Sequence, residues 1–215
     1  MKSRLLVIGA GGHARVVLSI ARHQGGWDIA GVLDRKAPAD PNNLERIGDT
    51  PVIGSFDDAE KFLASGVREI ALAVGDNDER AALFDRFAAL GFAFPVLRHP
   101  TAIVEDDVKL GNGCVICAGV ILGIGVVLGQ NVIVNTGAIL DHESTVGNHA
   151  HVAPGCRIAG RVRIGELAFV GIGTCVREKI TCGARTVIGA GSVVVKDMPP
   201  GVVAFGSPAR VERSR

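Results

Sequence analysis

The sequence predicts two folds in one chain, a small α/β domain over residues 1–98 and a parallel β-helix over residues 99–215. The first prediction rests on an apolar strand that runs into a glycine-rich turn and then into a helical pattern. The second rests on a period of six residues that repeats sixteen times without an insertion. A chain of 215 residues is long enough for two such domains.

The repeat runs from Ala102 to Asp197 and fits neither the period of a lone helix nor that of a simple strand. The third position of each hexad is aliphatic, apart from the small hydrophobe Cys182. We expect this residue to point into a triangular prism in which three hexads make one coil. Glycine recurs at the fourth position, where we expect a corner that needs a positive φ or a close approach of two chains. The fourth-position glycines include Gly111, Gly123, Gly129, Gly147, Gly165, Gly171, Gly183 and Gly189.

The first domain opens with an apolar strand, Leu5–Ile8, followed by the turn Gly9–Ala14 and a helical pattern. The spacing Gly-x-Gly-x-x-Ala places backbone N–H groups at a helix N-terminus, which suits a phosphate. Because the domain is too short for the six-stranded dinucleotide fold, we interpret it as a half-Rossmann domain of four or five parallel strands. The last of these is expected near Phe94–Leu97.

Two further turns of this domain follow predicted strands. Asp34 ends the second strand, 20 residues after Ala14, where a carboxylate can accept hydrogen bonds from a ribose. Gly75 and Asn77 follow a strand at Ala71–Val74, and α/β sheets bind ligands at such strand ends. A tight strand–helix connection without a ligand is the alternative interpretation.

Composition narrows the classes of partner. The net charge is +1 and no basic block occurs, so neither nucleic acid nor an anionic membrane is expected to bind. No apolar run reaches the ~18 residues of a membrane span, so we expect no membrane insertion and a cytoplasmic location. Cys114-x-x-Cys117 resembles a redox or zinc motif, but the hexad frame favours a packing role for both residues.

One hexad departs from the pattern, because it carries Asp141, His142 and Glu143 where most other hexads carry small or neutral residues. A carboxylate on one ring nitrogen of His142 would fix the tautomer and leave the other nitrogen as a base near neutral pH. Since a coil is eighteen residues long, Gly160 is expected ~4.8 Å above His142 along the prism. Solvated corner histidines are the alternative interpretation.

Four motifs occur in order along the chain: Gly-Ala-Gly-Gly-His-Ala, Val-Gly-Asp-Asn, His-Pro and Asn-Thr-Gly-Ala-x-x-Asp-His-Glu. This order resembles the nucleotide-sugar N-acetyltransferases of the bacillosamine and perosamine pathways, which are hexapeptide-repeat acyltransferases. The resemblance covers essentially the whole chain. It implies a left-handed β-helix, acetyl-CoA as co-substrate without a metal, and a homotrimer with the coenzyme groove between adjacent prisms.

The resemblance also implies roles for individual residues. His142 matches the general base, Glu143 its supporting acid, and His151 a contact to the acetyl group or cofactor. The backbone around Gly160, Ile172 and Ala190 matches the lining of the coenzyme A groove. The glycine-rich turn with His13, together with Asp34 and Arg35, matches the nucleotide-sugar site. Together with the two turns above, the candidate substrate-binding residues are Gly11, Gly12, His13, Asp34, Arg35, Gly75 and Asn77.

The expected reaction is direct acetyl transfer from acetyl-CoA to the 4-amino group of a UDP- or GDP-linked amino sugar. A sialic acid O-acetyltransferase is the alternative, since those enzymes look similar. A zinc enzyme like the γ-type carbonic anhydrases is less favoured, because His142, His149 and His151 have six and one intervening residues. A binding protein without transfer activity also stays open. The region Lys36–Gly48 looks like a long polar loop and is a candidate for altering the nucleotide site.

Overall fold

The computed structural model describes residues 2–40 and 44–215. The chain divides into two compact units, Met1–Leu97 and Arg98–Arg215, one residue before the boundary expected from the sequence. Residues 41–43 of the polar region Lys36–Gly48 lie outside the described residues.

The first unit is an α/β domain. Its elements are β1 (Ser3–Ile8), α1 (Gly12–Gln24), β2 (Trp27–Asp34), β3 (Arg46–Ile47), β4 (Thr50–Ser55), a 3-10 turn (Phe56–Asp58), α2 (Ala59–Ala64), β5 (Glu69–Leu72) and α3 (Asn77–Ala89). The strands form one sheet of order β3-β4-β2-β1-β5, parallel except for the antiparallel pair β3–β4. Strand β1 lies between β2 and β5 and is apolar and buried at its carboxyl end, as expected of a parallel strand covered on both faces.

The predicted strand near Phe94–Leu97 does not join this sheet. Ala93 makes one isolated parallel bridge to Glu69, and the chain then leaves the sheet edge. Pro95 explains this difference, because proline has no N–H to donate to a strand ladder. The parallel strand missing from the prediction is β4, which pairs with β2 on the other side of the sheet.

The second unit is a parallel β-helix with sixteen two-residue strands, one in every hexad. The predicted frame is therefore confirmed without an inserted loop. Strands eighteen residues apart pair in parallel, as Ile121 with Ile139 and Ile139 with Arg157, and form three faces. The first face holds β7 (Ile103–Val104), β10 (Ile121–Leu122), β13 (Ile139–Leu140), β16 (Arg157–Ile158), β19 (Cys175–Val176) and β22 (Val193–Val194).

The two other faces follow the same rule. The second face holds β8 (Lys109–Leu110), β11 (Val127–Leu128), β14 (Thr145–Val146), β17 (Arg163–Ile164) and β20 (Thr181–Cys182). The third face holds β9 (Val115–Ile116), β12 (Ile133–Val134), β15 (His151–Val152), β18 (Phe169–Val170) and β21 (Val187–Ile188), followed by the hairpin β23 (Val202–Gly206) and β24 (Ala209–Ser214). Strand β6 (Leu97–Arg98) spans the boundary between the units.

The interior of the prism is filled by the third and first positions of the hexads. Third-position residues are buried from Ile116 onward, and only Val104 and Leu110 in the first coil are partly exposed. Cys114 and Cys117 are both buried, and burial raises the pKa of the Cys117 thiol to about 12. These two cysteines therefore pack in the core as inert hydrophobes.

Glycine at the fourth position serves close packing and not a positive φ. A Cβ built on Gly147 would lie 2.8 Å from the carbonyl carbon of Gly165 in the next coil. Positive φ values occur at fifteen of the sixteen sixth positions, of which seven are glycines and eight are not. Those eight adopt φ between 55° and 61°: Asp107, Asn131, Glu143, His149, Arg161, Leu167, Lys179 and Arg185.

Within residues 2–40 and 44–215, no helix is long and apolar enough to cross a membrane.

Candidate active site

A cleft of about 510 Å³ opens at the carboxyl ends of β1, β2 and β5. Six of the seven candidate substrate-binding residues line it: Gly11, Gly12, His13, Asp34, Arg35 and Gly75. Asn77 does not. Its side chain is buried and accepts a hydrogen bond from Arg80 Nη2 at 2.9 Å.

The glycine-rich turn leaves the start of α1 open to this cleft. A Cβ built on Gly11 or Gly12 would meet no heavy atom within 4 Å, so packing does not require glycine at these positions. Among the described residues, no side chain caps this helix and its first turn carries no acid. The N–H groups at the helix start can therefore face an anion in the cleft.

The wall of the cleft carries a tightly held ion pair. Arg35 Nε and Nη2 donate to Glu79 Oε1 and Oε2 at 2.9 and 2.5 Å. On the adjacent turn, Asp34 Oδ1 accepts a 3.4 Å hydrogen bond from the backbone N of Ala10. Sequence reasoning missed Glu79, although it stands three residues after Asp76, the N-cap of α3, where an acidic residue is common. The side chain of Asp76 accepts from the backbone N of Glu79 at 2.8 Å.

Beneath the cleft lies a fully buried arginine, Arg80. Arg80 Nη1 donates to the backbone oxygens of Val74, Gly75 and Asp76 at 3.3, 3.2 and 3.4 Å. Sequence reasoning missed Arg80 too. The available signal was its spacing, because it continues the buried stripe of α3 formed by Leu83, Phe84 and Phe87.

Burial lowers the pKa of His13 to about 4, with the nearby charge of Arg80 as the second cause. The imidazole in the cleft is therefore neutral at pH 7.

His142 lies at the corner of the prism between β13 and β14, with its side chain about half exposed. Its Nδ1 lies 3.1 Å from Glu143 Oε2, whereas Asp141 Oδ1 accepts from the backbone N of His142 at 2.7 Å. Glu143, and not Asp141, therefore holds the ring. Because a carboxylate only accepts, Nδ1 carries the proton and Nε2 is left with its lone pair.

The ring of His142 lies against the next coil at Gly160, as the eighteen-residue coil predicts. A Cβ built on Gly160 would collide with Nε2, Cε1 and Cδ2 of the imidazole. Only a residue without a side chain lets the ring keep this place.

Arg161 completes the corner, and sequence reasoning missed it. Its Nε donates to Glu143 Oε2 at 2.8 Å, the same oxygen that accepts from His142. Arg161 is the largest cause that lowers the pKa of Glu143, followed by His142. The signal was available, since Arg161 stands eighteen residues after Glu143.

A shallow groove of about 490 Å³ runs over the first face. Gly160 stands at the corner on one side of this face. Ile172, which is 56% exposed, and Ala190 stand at the corner on the other side. The groove is lined by Ile139, Asp141, Arg157, Ile158, Ala159, Cys175, Val176, Arg177, Val193 and Val195.

His151 lies apart from His142, in β15 of the third face. Only 8% of its surface is exposed. Its Nε2 lies 3.2 Å from Asn135 Nδ2, and its ring packs edge-on against Phe169 at 5.2 Å. One prism therefore does not bring the two candidate histidines together.

The three histidines of the zinc hypothesis are also dispersed. His149 lies at the corner between the second and third faces, where its Nδ1 is 2.9 Å from Asn131 Nδ2. Across the described ranges, no three His, Cys, Asp or Glu side chains form a group that could hold a metal ion.

Residues 4–87 match the family model of the PglD N-terminal domain. The structure is similar to PerB from Caulobacter crescentus in complex with CoA and GDP-perosamine, with a TM-score of 0.91 and 36% identity over 98% of this chain and 97% of that one. It is similar to the acetyltransferase domain of PglB from Neisseria gonorrhoeae FA1090, with a TM-score of 0.89 and 36% identity over 98% and 100% of the two chains. These matches confirm the predicted fold class, a half-Rossmann domain followed by a left-handed parallel β-helix.

A third relative is the 2,3,4,5-tetrahydropyridine-2,6-dicarboxylate N-acetyltransferase of Halalkalibacterium halodurans. It is 34% identical over 177 residues, which are 76% of this chain and 71% of that protein. All three relatives carry acetyltransferase in their names.

Proposed function

Because the chain belongs to the nucleotide-sugar N-acetyltransferase family of the perosamine and bacillosamine type, we propose that it transfers the acetyl group of acetyl-CoA to the 4-amino group of a UDP- or GDP-linked amino sugar. One observation carries the proposal. The Nε2 atom of His142 lies over Gly160, while Glu143 holds Nδ1. A base is thus fixed in orientation at a corner where its side chain is about half exposed.

In the proposed reaction, the sugar nitrogen attacks the thioester carbonyl carbon and the C–S bond breaks. His142 Nε2 accepts a proton from the attacking amine, and coenzyme A leaves as a thiol once its sulfur has gained a proton. Glu143 stabilises the imidazolium that forms in between. No covalent acyl-enzyme is needed, and four of the five cysteines are buried.

The groove on the first face is the proposed site of acetyl-CoA. Gly160, Ile172 and Ala190 were expected to line this groove. They stand at the corners on either side of it and are not among its lining residues in the described part of the chain. Its apolar floor suits the pantetheine chain, while Arg157 and Arg177 at the groove suit the phosphates. Acetyl-CoA acts here as a co-substrate, and no metal takes part.

The cleft of the first unit is the proposed nucleotide site. The N–H groups after Gly11 and Gly12 suit the diphosphate, and Asp34 suits the ribose hydroxyls. Arg35, His13 and Gly75 line the same cleft, while Asn77 acts from beneath it through Arg80. A cytoplasmic location and a role in glycan biosynthesis belong to this proposal.

A homotrimer is part of the proposal, because one prism separates His151 from His142. If His151 contacts the acetyl group, a second copy must supply it.

The outward side chains of the first and second faces differ in polarity. The first face begins with Ile103, Ile121 and Ile139, and Ile103 is 51% exposed. The second face presents mainly polar residues, namely Lys109, Val127, Thr145, Arg163 and Thr181. We therefore place copies against the first face and solvent against the second.

The test is a panel of UDP-, GDP- and dTDP-linked 4-amino sugars and sialic acids, each with acetyl-CoA, followed by release of free thiol. We expect turnover with a UDP- or GDP-linked 4-amino sugar. Turnover restricted to a sialic acid would replace the proposal by O-acetylation, and binding of the nucleotide sugar without thiol release would reduce the protein to a binding module. The His142→Asn variant sets the background rate.

A further inference from the structure

Glu143 occupies a position that the fold holds firmly. It is the sixth residue of its hexad, with φ of 57°, and a Cβ on Gly125 in the coil below would lie 3.8 Å from its Cγ. Its carboxylate is about half exposed, so its direction depends on the groups that bind it. Two donors meet on one oxygen, His142 Nδ1 at 3.1 Å and Arg161 Nε at 2.8 Å.

Arg161 reaches this oxygen because of the coil period. The backbone N of Arg161 donates to the carbonyl oxygen of His142 at 2.9 Å, which stacks the two coils in register. Arg161 is the sixth residue of its hexad, one coil above Glu143, with φ of 61°. Two adjacent residues of one coil thus act on His142 in different ways. Gly160 leaves space for the imidazole ring. Arg161 donates to the Glu143 carboxylate, which in turn binds Nδ1 of that ring.

We infer that Arg161 is a positioning residue for acetyl transfer. It orients Glu143 so that His142 keeps one tautomer, and its positive charge opposes the carboxylate charge beside the imidazole. This inference rests on the proposed function of His142 as the general base. In this role Arg161 acts through its contact with Glu143.

The charge of Arg161 should change how strongly His142 holds its proton. A carboxylate next to an imidazole stabilises the protonated ring. A guanidinium on the same oxygen opposes that effect, and it also holds the pKa of Glu143 below its usual range. Removal of Arg161 therefore leaves an undivided negative charge beside His142, and the ring should hold its proton to higher pH.

Other charged residues share this corner. Asp141 accepts a hydrogen bond from the backbone N of His142 at 2.7 Å, and the coil below carries the uncharged residues Gly123, Ile124 and Gly125. The coils farther along the same corner carry Glu105, Asp106 and Asp107 below and Arg177, Glu178 and Lys179 above. Among the described residues, Arg161 is the cation in an ion pair with Glu143. Lys179 is a matched control, because it has the same place in the next coil and the same φ of 61°.

The experiment compares Arg161→Gln, Arg161→Lys and Lys179→Gln by two readouts. The first is the titration of the His142 ring, followed by NMR in the intact protein without substrates and assigned with His142→Asn. The second is the pH profile of kcat/KM. In Arg161→Gln we expect the midpoint of the titration and the acid limb of the profile to rise by about half a unit to one unit, with kcat about tenfold lower. KM values should stay within about twofold.

Arg161→Lys should restore most of the wild-type profile, because it restores the charge, and Lys179→Gln should leave both readouts unchanged. An unmoved His142 titration in a folded Arg161→Gln protein would overturn the inference, as would an equal shift in Lys179→Gln. The two readouts also separate the inference from the proposed function. A shifted titration in a protein without acetyl transfer would refute the function, whereas active transfer with an unmoved titration would refute the role of Arg161.

Discussion

In the β-helix, His142, Gly160 and Arg161 come together because every coil is eighteen residues long. In the α/β unit, Gly11, Arg35 and Glu79 come together because three elements end at one edge of a sheet. The first arrangement depends on a repeat and the second on the order of strands. The corner therefore repeats its geometry along one column of positions, whereas the cleft is assembled from three different elements.

The two regions also differ in exposure. His142, Glu143 and Arg161 are each about half exposed, so their charges are partly screened by water. Arg80, beneath the cleft, is fully buried, and its charge acts with little screening. Exposure suits a base that must meet and release substrates, and a buried floor suits a site that holds one ligand in place. Variants of the corner should therefore change kcat, and variants of the cleft should change KM.

The largest effect is expected at His142. His142→Asn removes the base while keeping a similar size, so kcat should fall by roughly 10²–10⁴ with KM little changed. The measurement is steady-state thiol release at pH 7. His149→Asn is the control on the next corner and should stay near the wild-type rate. Near wild-type kcat in a folded His142→Asn protein would show that the proton leaves by another route.

The next effect should come from Gly160→Ala. The added methyl group would displace the imidazole, and we expect kcat to fall by roughly tenfold to a hundredfold because the base is misplaced. Folding should persist, since Gly160 is not among the positive-φ glycines. A double-mutant cycle with His142→Asn supplies the control. If Gly160→Ala lowered the rate further in the His142→Asn background, its effect would not pass through the ring.

A cleft variant should behave in the opposite way. Asp34→Ala removes a carboxylate from the strand end that faces the cleft, so KM for the nucleotide sugar should rise by about tenfold with kcat little changed. KM for acetyl-CoA should not move. A large loss of kcat at unchanged KM would place the nucleotide elsewhere.

The smallest effect concerns His13, whose pKa falls to about 4 in the folded protein. Between pH 6.5 and pH 4 the unfolded chain binds a proton at this residue and the folded chain does not, so the free energy of unfolding falls as the pH is lowered. From pH 7 to pH 5.5 the loss should be about 1 kcal/mol. His13→Gln should remove that part of the pH dependence.

The single tryptophan, Trp27, lies in the first unit, so denaturant unfolding followed by its fluorescence reports on that unit. An identical pH dependence in the wild type and in His13→Gln would contradict the assignment of a neutral imidazole to His13.

The comparison also explains which features could be predicted from the sequence. A fixed coil length converts an offset of eighteen residues into contact, so the place of Gly160 over His142 followed from counting. The contact of Arg161 with Glu143 could be predicted by the same count. Asp141 and Glu143, however, already offered partners for His142 within its own hexad. The pairing of Arg35 with Glu79 depends on which strands lie side by side, and periodicity does not encode that order. The strand expected near Phe94–Leu97 does not join the sheet because Pro95 has no N–H to donate to a strand ladder.

The division of labour between the two units is tested most directly by calorimetric titration of UDP, GDP and coenzyme A into the wild type, Asp34→Ala and His142→Asn. The account predicts that one nucleoside diphosphate binds the wild type and His142→Asn equally, and binds Asp34→Ala about tenfold more weakly. Coenzyme A should bind all three proteins alike. Loss of nucleotide binding in His142→Asn, with full binding in Asp34→Ala, would contradict the account.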